Sequence, residues 1–300
     1  MKTGKSLMML AVSTLVILLA APIFAQNPPP LPPQAPPPPS YAPAQLDQLV
    51  ARIALYPDPL LAQILAGATY PDQIPDAARW ADQHHYLTGQ ALADAIQADQ
   101  LPWDPSVQAL LPFPSVLDMM ASDMAWTTDL GNAFLADQQS VMDAVQEQRR
   151  KAREFGYLRS NGQIIVGGSP YITIMPINPG YIVVPYYNPA VVFFAPRPGF
   201  VVAGGIRFGF GVTIGGFFRP WGWGYGRFDW GAHAVFINNA RWGRTWFNRG
   251  SYAHPYAGVR RFAPAQRLPE HHELEGRSVR ERQAAREGRR SEEEHHDHGR

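Results

Sequence analysis

The chain has 300 residues, a net charge of +1, 30 prolines, 26 glycines and no cysteine. Such a length holds one large or two small domains, and the missing thiol excludes disulfides, cysteine nucleophiles and thiolate metal sites. The near-neutral total hides two opposed segments: residues 46–158 carry fifteen Asp/Glu against six Lys/Arg, whereas residues 159–262 carry ten Arg against one carboxylate, Asp229.

In chain order, residues 1–25 read as a secretory signal peptide. Lys2 and Lys5 give a positive start, Leu7 to Ala21 is apolar, and Ala25 offers a small residue at the cleavage position. The apolar run falls short of the ~20 residues that span a bilayer. Removal on export is therefore expected, with retention as an uncleaved anchor as the alternative. The expected location is the periplasm or cell envelope of a bacterium, which argues against nucleic acid as a partner of the basic half. Residues 26–45 form a Pro-rich linker whose proline runs favour the extended polyproline II form.

Residues 46–158 read as an acidic domain of short helices. Leu46, Leu49, Val50 and Ile53 have helical spacing. Asp58-Pro59 and Asp104-Pro105 each set an N-capping carboxylate before a proline at the first helical position, and Ser115 is placed to cap a later helix. One long helix is expected from about Thr128 to Phe155. It buries Leu130, Phe134, Val141 and Val145 and closes with Arg149, Arg150, Lys151 and Arg153, cations at the negative end of the helix dipole.

At Gly162 the period changes. Ile164–Val166, Tyr171–Met175, Tyr181–Tyr187 and Ala190–Phe194 are β-branched and aromatic runs between Gly and Asn-Pro-Gly breaks, so residues 159–198 read as short antiparallel strands. Pro185 inside a run marks an edge strand or a bulge. Residues 199–262 form a basic Gly/aromatic segment. Within it, residues 199–218 suit Gly-rich strands, with insertion into a membrane as the alternative. From Ala263 to Arg300 the chain is a charged His/Arg/Glu tail with too little apolar area to order itself. The fold class is α+β, helices first and a small antiparallel β segment after them.

The helical half resembles a family of exported bacterial proteins known as domain of unknown function 3300. Carrying the likeness are Tyr56-Pro57-Asp58-Pro59-Leu60-Leu61-Ala62-Gln63-Ile64-Leu65, Thr69-Tyr70-Pro71, Ala77-Ala78-Arg79-Trp80 and Trp103-Asp104-Pro105-Ser106-Val107. Phe113-Pro114-Ser115-Val116-Leu117 and Leu130-Gly131-Asn132-Ala133-Phe134 continue it, as does Val184-Pro185-Tyr186-Tyr187-Asn188-Pro189 in the strand segment. The resemblance implies export, a helical start and an aromatic/Gly-rich sequel. It supplies no catalytic residues.

Among the candidate sites, Trp80, Trp103, Trp126, Phe113 and Phe134 read as core rather than as a glycan groove. Asp82, Asp94, Asp99 and Asp104 read as solvated carboxylates rather than an acid–base pair, and His84-His85 as complements to a helix end. Asp229 and His233 form the one carboxylate–imidazole pairing of the basic half, more simply a structural hydrogen bond than a catalytic one. Arg219-Pro220-Trp221-Gly222-Trp223-Gly224-Tyr225-Gly226-Arg227, with Trp242, Arg244 and Trp246, is the best binding candidate, because arginine and exposed rings together suit an anionic surface. Its bland alternative is a packing element. In the tail, His295, His296 and His298 are candidate metal ligands, with a solvated tail as the alternative.

No catalytic residue and no cofactor is nominated. The reading is an exported, non-enzymatic binding or scaffold module that contacts an anionic envelope component or another envelope protein, with peripheral membrane contact as a further option. An envelope enzyme acting on wall or lipid substrates is the alternative. The opposed charges further suggest that the acidic helical face docks on the basic segment, within a molecule or between molecules.

Overall fold

Proline opens six of the helices that a computed structural model gives this chain, and that placement determines where each one starts. The structure describes residues 36–196, 205–224 and 226–254. The signal-peptide reading, the first half of the linker (residues 26–35), Tyr225 and the charged tail with its histidines lie outside the described residues. So do residues 199–204 of the segment weighed for membrane insertion; among the described residues, no helix is long and apolar enough to cross a membrane.

The helical half runs α1 (Pro43–Val50), α2 (Asp58–Ala68), α3 (Ile74–Gln83), α4 (Gly89–Ala98), α5 (Pro105–Gln108), α6 (Pro114–Ser122), α7 (Met124–Ala136) and α8 (Gln138–Glu154). Where one long last helix was expected there are two. Asp137 breaks them apart and caps α8, its carboxylate accepting from the Ser140 N–H at 3.1 Å and the Ser140 hydroxyl at 2.6 Å. Asp104 caps α5 as expected, accepting from the Ser106 N–H at 2.9 Å. Asp58 does not cap α2: Pro57 holds the N-cap position and the Asp58 carboxylate turns inward. Ser115 likewise lies inside the first turn of α6, behind the Phe113 N-cap.

Helix α2 is the centre of the molecule. Every residue from Leu60 to Ala68 is buried, the pattern of a helix with no solvent face. It packs on α5 and α7 on one side and on strands on the other. Gly131 of α7 permits the closest approach, since a Cβ there would fall 2.0 Å from the Ala68 carbonyl oxygen of α2.

The β half begins with β1 (Ile164–Gly167) against β2 (Thr173–Pro176), antiparallel in the register Ile165↔Met175. Strands β3 (Tyr181–Ile182) and β4 (Pro185–Tyr187) follow. The run at Ala190–Phe194, expected as a strand, is instead helix α9 (Pro189–Val192). Pro189 sits at its first position and the Asn188 side chain accepts from the Ala190 N–H at 2.9 Å, so local capping outweighs β propensity.

Strands β5 (Ile206–Phe208) and β6 (Val212–Thr213) come next, then a 3-10 turn at Gly216–Trp221, and a meander of β7 (Arg227–Asp229), β8 (Ala234–Ile237) and β9 (Ala240–Arg241). β5 pairs with β4 and β6 with β3, both antiparallel. Between the pairs Ile182↔Val212 and Pro185↔Phe208 one strand has Val183 and Val184, while the other has Gly209, Phe210 and Gly211. The two short ladders are therefore one ribbon interrupted by a one-residue bulge. Pro185 stands in this two-stranded ribbon, beside the bulge.

Helical and β parts share one apolar core, in which Leu60, Ile64, Phe113 and Phe134 join Ile174, Val183, Trp223, Val235 and Trp242. Within the molecule the contact is therefore mainly apolar packing, rather than the docking of one exposed charged face on another.

Candidate functional site

Six aromatic and cationic side chains of the β half turn inward and fasten it to the helices. Gly222 adopts φ 91, a left-handed conformation natural to glycine, and the tryptophans on either side both face the helical core. The Trp221 indole donates to Gln108 Oε1 at 2.7 Å, and the Trp223 indole to the Ala109 carbonyl at 2.8 Å. Trp242 stacks on Phe134 with ring centroids 5.0 Å apart. Arg244 is buried with its guanidinium over the Tyr70 ring, and it donates to the carbonyls of Thr69 and, at 2.9 Å, Arg249. Burial draws its pKa below the usual arginine value. Tyr187 donates to the Ala51 carbonyl at 2.9 Å, and Trp230 completes the set.

Four of the residues nominated for binding, Trp221, Trp223, Trp242 and Arg244, are thus interior anchors closed to an outside ligand. Their physical reason is plain: a β half of two- to four-residue strands has too little sheet of its own, and large rings supply the area it buries. Arg219 and Arg227 are exposed, and Arg227 lies over the Phe236 ring. Trp246 is half-buried with Arg249 above it.

One fully buried charged group is missed by the sequence reading. Arg149, expected as a surface cation at a helix end, is fully buried beneath Trp230. It donates to Asp58 Oδ1 at 2.6 Å, to the carbonyls of Ala54 at 2.8 Å and Ile172 at 2.9 Å, and to that of Tyr56 at 3.0 Å. Asp58 also accepts from the Trp230 indole at 3.3 Å. Burial pushes the Asp58 carboxyl above its ordinary value, while the Arg149, Trp230 and Ile174 donors pull the other way. One signal was available: Arg149 continues the i, i+4 series of Val141 and Val145, so it lies on the buried face of α8.

A second cluster surrounds Asp104. Its carboxylate accepts from both the N–H and hydroxyl of Ser106, and His254 Nε2 lies 3.0 Å away. Burial raises its pKa, but the His254 and Ser106 contacts outweigh that and leave it below the ordinary carboxylate value. Neighbouring Tyr70 is pushed up, by burial first and by Asp104 second.

The remaining candidates are placed as follows. Trp80, Phe113, Trp126 and Phe134 are buried and Trp103 is half-buried in the core. His84 and His85 bond the helix-end carbonyls of Trp80 and Asp82 at 2.8 and 2.5 Å. Asp82 and Asp94 are exposed, and Asp99 accepts from the Trp80 indole at 2.7 Å. Asp229 and His233 do not bond each other: Asp229 accepts from the Ala232 N–H at 3.1 Å, and His233 Nε2 meets Asp143 Oδ1 at 2.9 Å. Among the described residues no group of three or more His, Asp or Glu could hold a metal ion.

The bulged ribbon is one of the places where the β half offers apolar side chains to solvent; Ile165, Ile177, Phe194 and Phe247 are others. Phe210 is wholly exposed, and Tyr181 and Tyr186 are exposed beside it. Arg207, opposite Tyr186, is exposed as well. This surface combines rings and a cation with no carboxylate on either strand of the ribbon.

The family described as "Protein of unknown function (DUF3300)" matches residues 42–257, and the chain belongs to it. It is 35% identical over 187 residues to the uncharacterised protein YacH of Escherichia coli (strain K12), an alignment covering 51% of this chain and 30% of that protein. The match thus spans about a third of the curated relative's length. No solved structure matches the chain.

Proposed function

We propose that this member of the DUF3300 family is an exported, non-enzymatic module of the bacterial envelope that binds an anionic surface through its β half. The observation that carries the reading is an imbalance of exposed charge. Arg207, Arg219, Arg227 and Arg241 are exposed, while Asp229 is the single carboxylate between residues 159 and 262. Such an excess attracts phosphate or carboxylate and repels cations. The polar groups a reaction could use are engaged otherwise: Asp58 holds Arg149, Asp104 caps a helix, and Asp229 bonds the Ala232 N–H.

The N-terminal pattern of Lys2, Lys5 and the apolar run supports export. N-terminal sequencing of the mature chain from a fractionated bacterium tests that part, and a cytoplasmic, uncut chain refutes it. For the binding part, the purified chain is passed over an immobilised soluble polyanion and over an uncharged matrix. Retention on the first alone, weakening from 0.05 to about 0.5 M salt as exposed charges are screened, is the expected result. Equal behaviour on both matrices overturns it.

A further inference from the structure

We infer that the Phe210 bulge is a bilayer-insertion element, and that the anionic surface is the interface of a lipid membrane. This inference rests on the anionic-surface reading and names its target. Three observations lead to it. First, Phe210 is 100% exposed, an arrangement that a folded chain has no internal reason to keep. Second, the backbone presents it. Phe210 is the middle one of the three residues that stand opposite two at the bulge, and bulges re-aim a side chain away from the pleat. Its neighbours Gly209 and Gly211 are covered by rings: a Cβ at Gly209 would lie 2.8 Å from the Tyr186 ring, and one at Gly211 would lie 2.1 Å from the Tyr181 ring. The Gly211 N–H also donates to the Tyr181 hydroxyl at 2.9 Å. On the opposite, inner face Tyr187 ties the ribbon to Ala51 and Leu55 of the helical half, so the outer face is held on a fixed support.

Third, the chemistry around the ring suits a bilayer better than other targets. A single convex ring needs a pocket in a protein partner and a flat platform to stack on a sugar, but a bilayer accepts it without a complementary shape. Tyrosines favour the headgroup level, where the ring is apolar and the hydroxyl wet. Arg207 beside them can bond a phosphate in two places. One apolar anchor alone binds membranes weakly, and pairing it with cations gives stable attachment.

The test uses the full chain and vesicles of two compositions, zwitterionic phosphatidylcholine alone and phosphatidylcholine with 30–40% (roughly, enough to give a negative surface) phosphatidylglycerol. Wild type is expected to sediment with the anionic vesicles. Phe210→Ala should weaken that binding about tenfold, which is about 1.4 kcal/mol, while Phe210→Leu retains most of it. Neither change should alter the melting temperature or retention on a soluble polyanion. Because the chain has no cysteine, Phe210→Cys carrying an environment-sensitive fluorophore gives one reporter, whose emission should shift to the blue on anionic vesicles.

Binding of Phe210→Ala equal to wild type, with no shift of the fluorophore, overturns the inference while leaving salt-sensitive polyanion binding intact. Retention on the polyanion without any vesicle binding overturns it in the same way. A Phe210-dependent complex with a protein in the absence of lipid overturns it in favour of a protein partner. Failure to bind either polyanion or vesicle removes the underlying reading too.

Discussion

Arg149 Nη1 stands 2.6 Å from Asp58 Oδ1, with the arginine side chain wholly closed to solvent and the carboxylate 4% exposed. The pair joins the first turn of α2 to the middle of α8, and through the Ile172 carbonyl and the Trp230 indole it reaches both strand segments as well. A single guanidinium thus satisfies four acceptors from two stretches of the chain, residues 54–58 and Ile172. Beside it, the Gln146 side chain accepts from the Ile172 N–H at 2.7 Å and donates to the Ile172 carbonyl at 3.0 Å. The entry of the chain into β2 is held to α8 as an added strand would hold it.

Breaking this pair from either side is costly, because the partner is left charged and buried. Arg149→Met and Asp58→Leu should each lower stability by about 3–5 kcal/mol, read from chemical denaturation. The double variant should be less destabilised than the sum of the two, since no lone charge remains. Additive losses would mean that the pair acts through its separate contacts rather than as a unit.

The Asp104 cluster predicts a response to acid. A carboxyl whose folded pKa lies below its unfolded value of about 3.9 stabilises the fold above that value, and the contribution is lost as pH falls toward the folded pKa. The midpoint of urea unfolding should therefore drop below about pH 4, and less steeply in Asp104→Asn. At neutral pH, Asp104→Ala should cost about 0.5–2 kcal/mol through the lost helix cap alone.

How much of this was legible beforehand differs by element, for physical reasons. Proline and capping residues announce helix starts locally, so α5 and the family motif at α2 were readable in outline. Asp137 is an equally local cap, and the split between α7 and α8 could have been seen in Asp137-Gln-Gln-Ser140. The inward turn of Trp221, Trp223 and Arg244 could not, because composition reports that rings and cations are present and not which way they face. Their partners, Ala109, Gln108 and Thr69, lie more than a hundred residues away in the chain. The Phe210 bulge needs the register of two strands, which no single segment carries.

Gly131 offers a test of the central packing. A methyl group there would meet the backbone of Ala68 rather than a movable side chain, so α2 and α7 must separate to admit it. Gly131→Ala should lower stability by about 1–3 kcal/mol despite the better helix propensity of alanine. A melting temperature equal to or above wild type would show that the two helices are not held at this distance in solution.

The joint between the halves makes the final prediction, against what the opposed charges first suggest. If exposed charge held the β half to the helices, salt would loosen it within a Debye length of about 8–10 Å. The contacts are instead buried: Trp223 against Phe113 with ring centroids 5.2 Å apart, Trp242 against Phe134, and Arg244 into backbone carbonyls. Across the joint, His233 and Asp143 form a partly exposed pair whose contribution should be no more than about 1 kcal/mol. Limited proteolysis of residues 205–254 should therefore proceed at the same rate in low and high salt. Trp223→Ala, which removes a ring only 2% exposed and costs about 3–5 kcal/mol, should speed it in both. Cleavage that accelerates with salt in the wild type would return the joint to electrostatic docking.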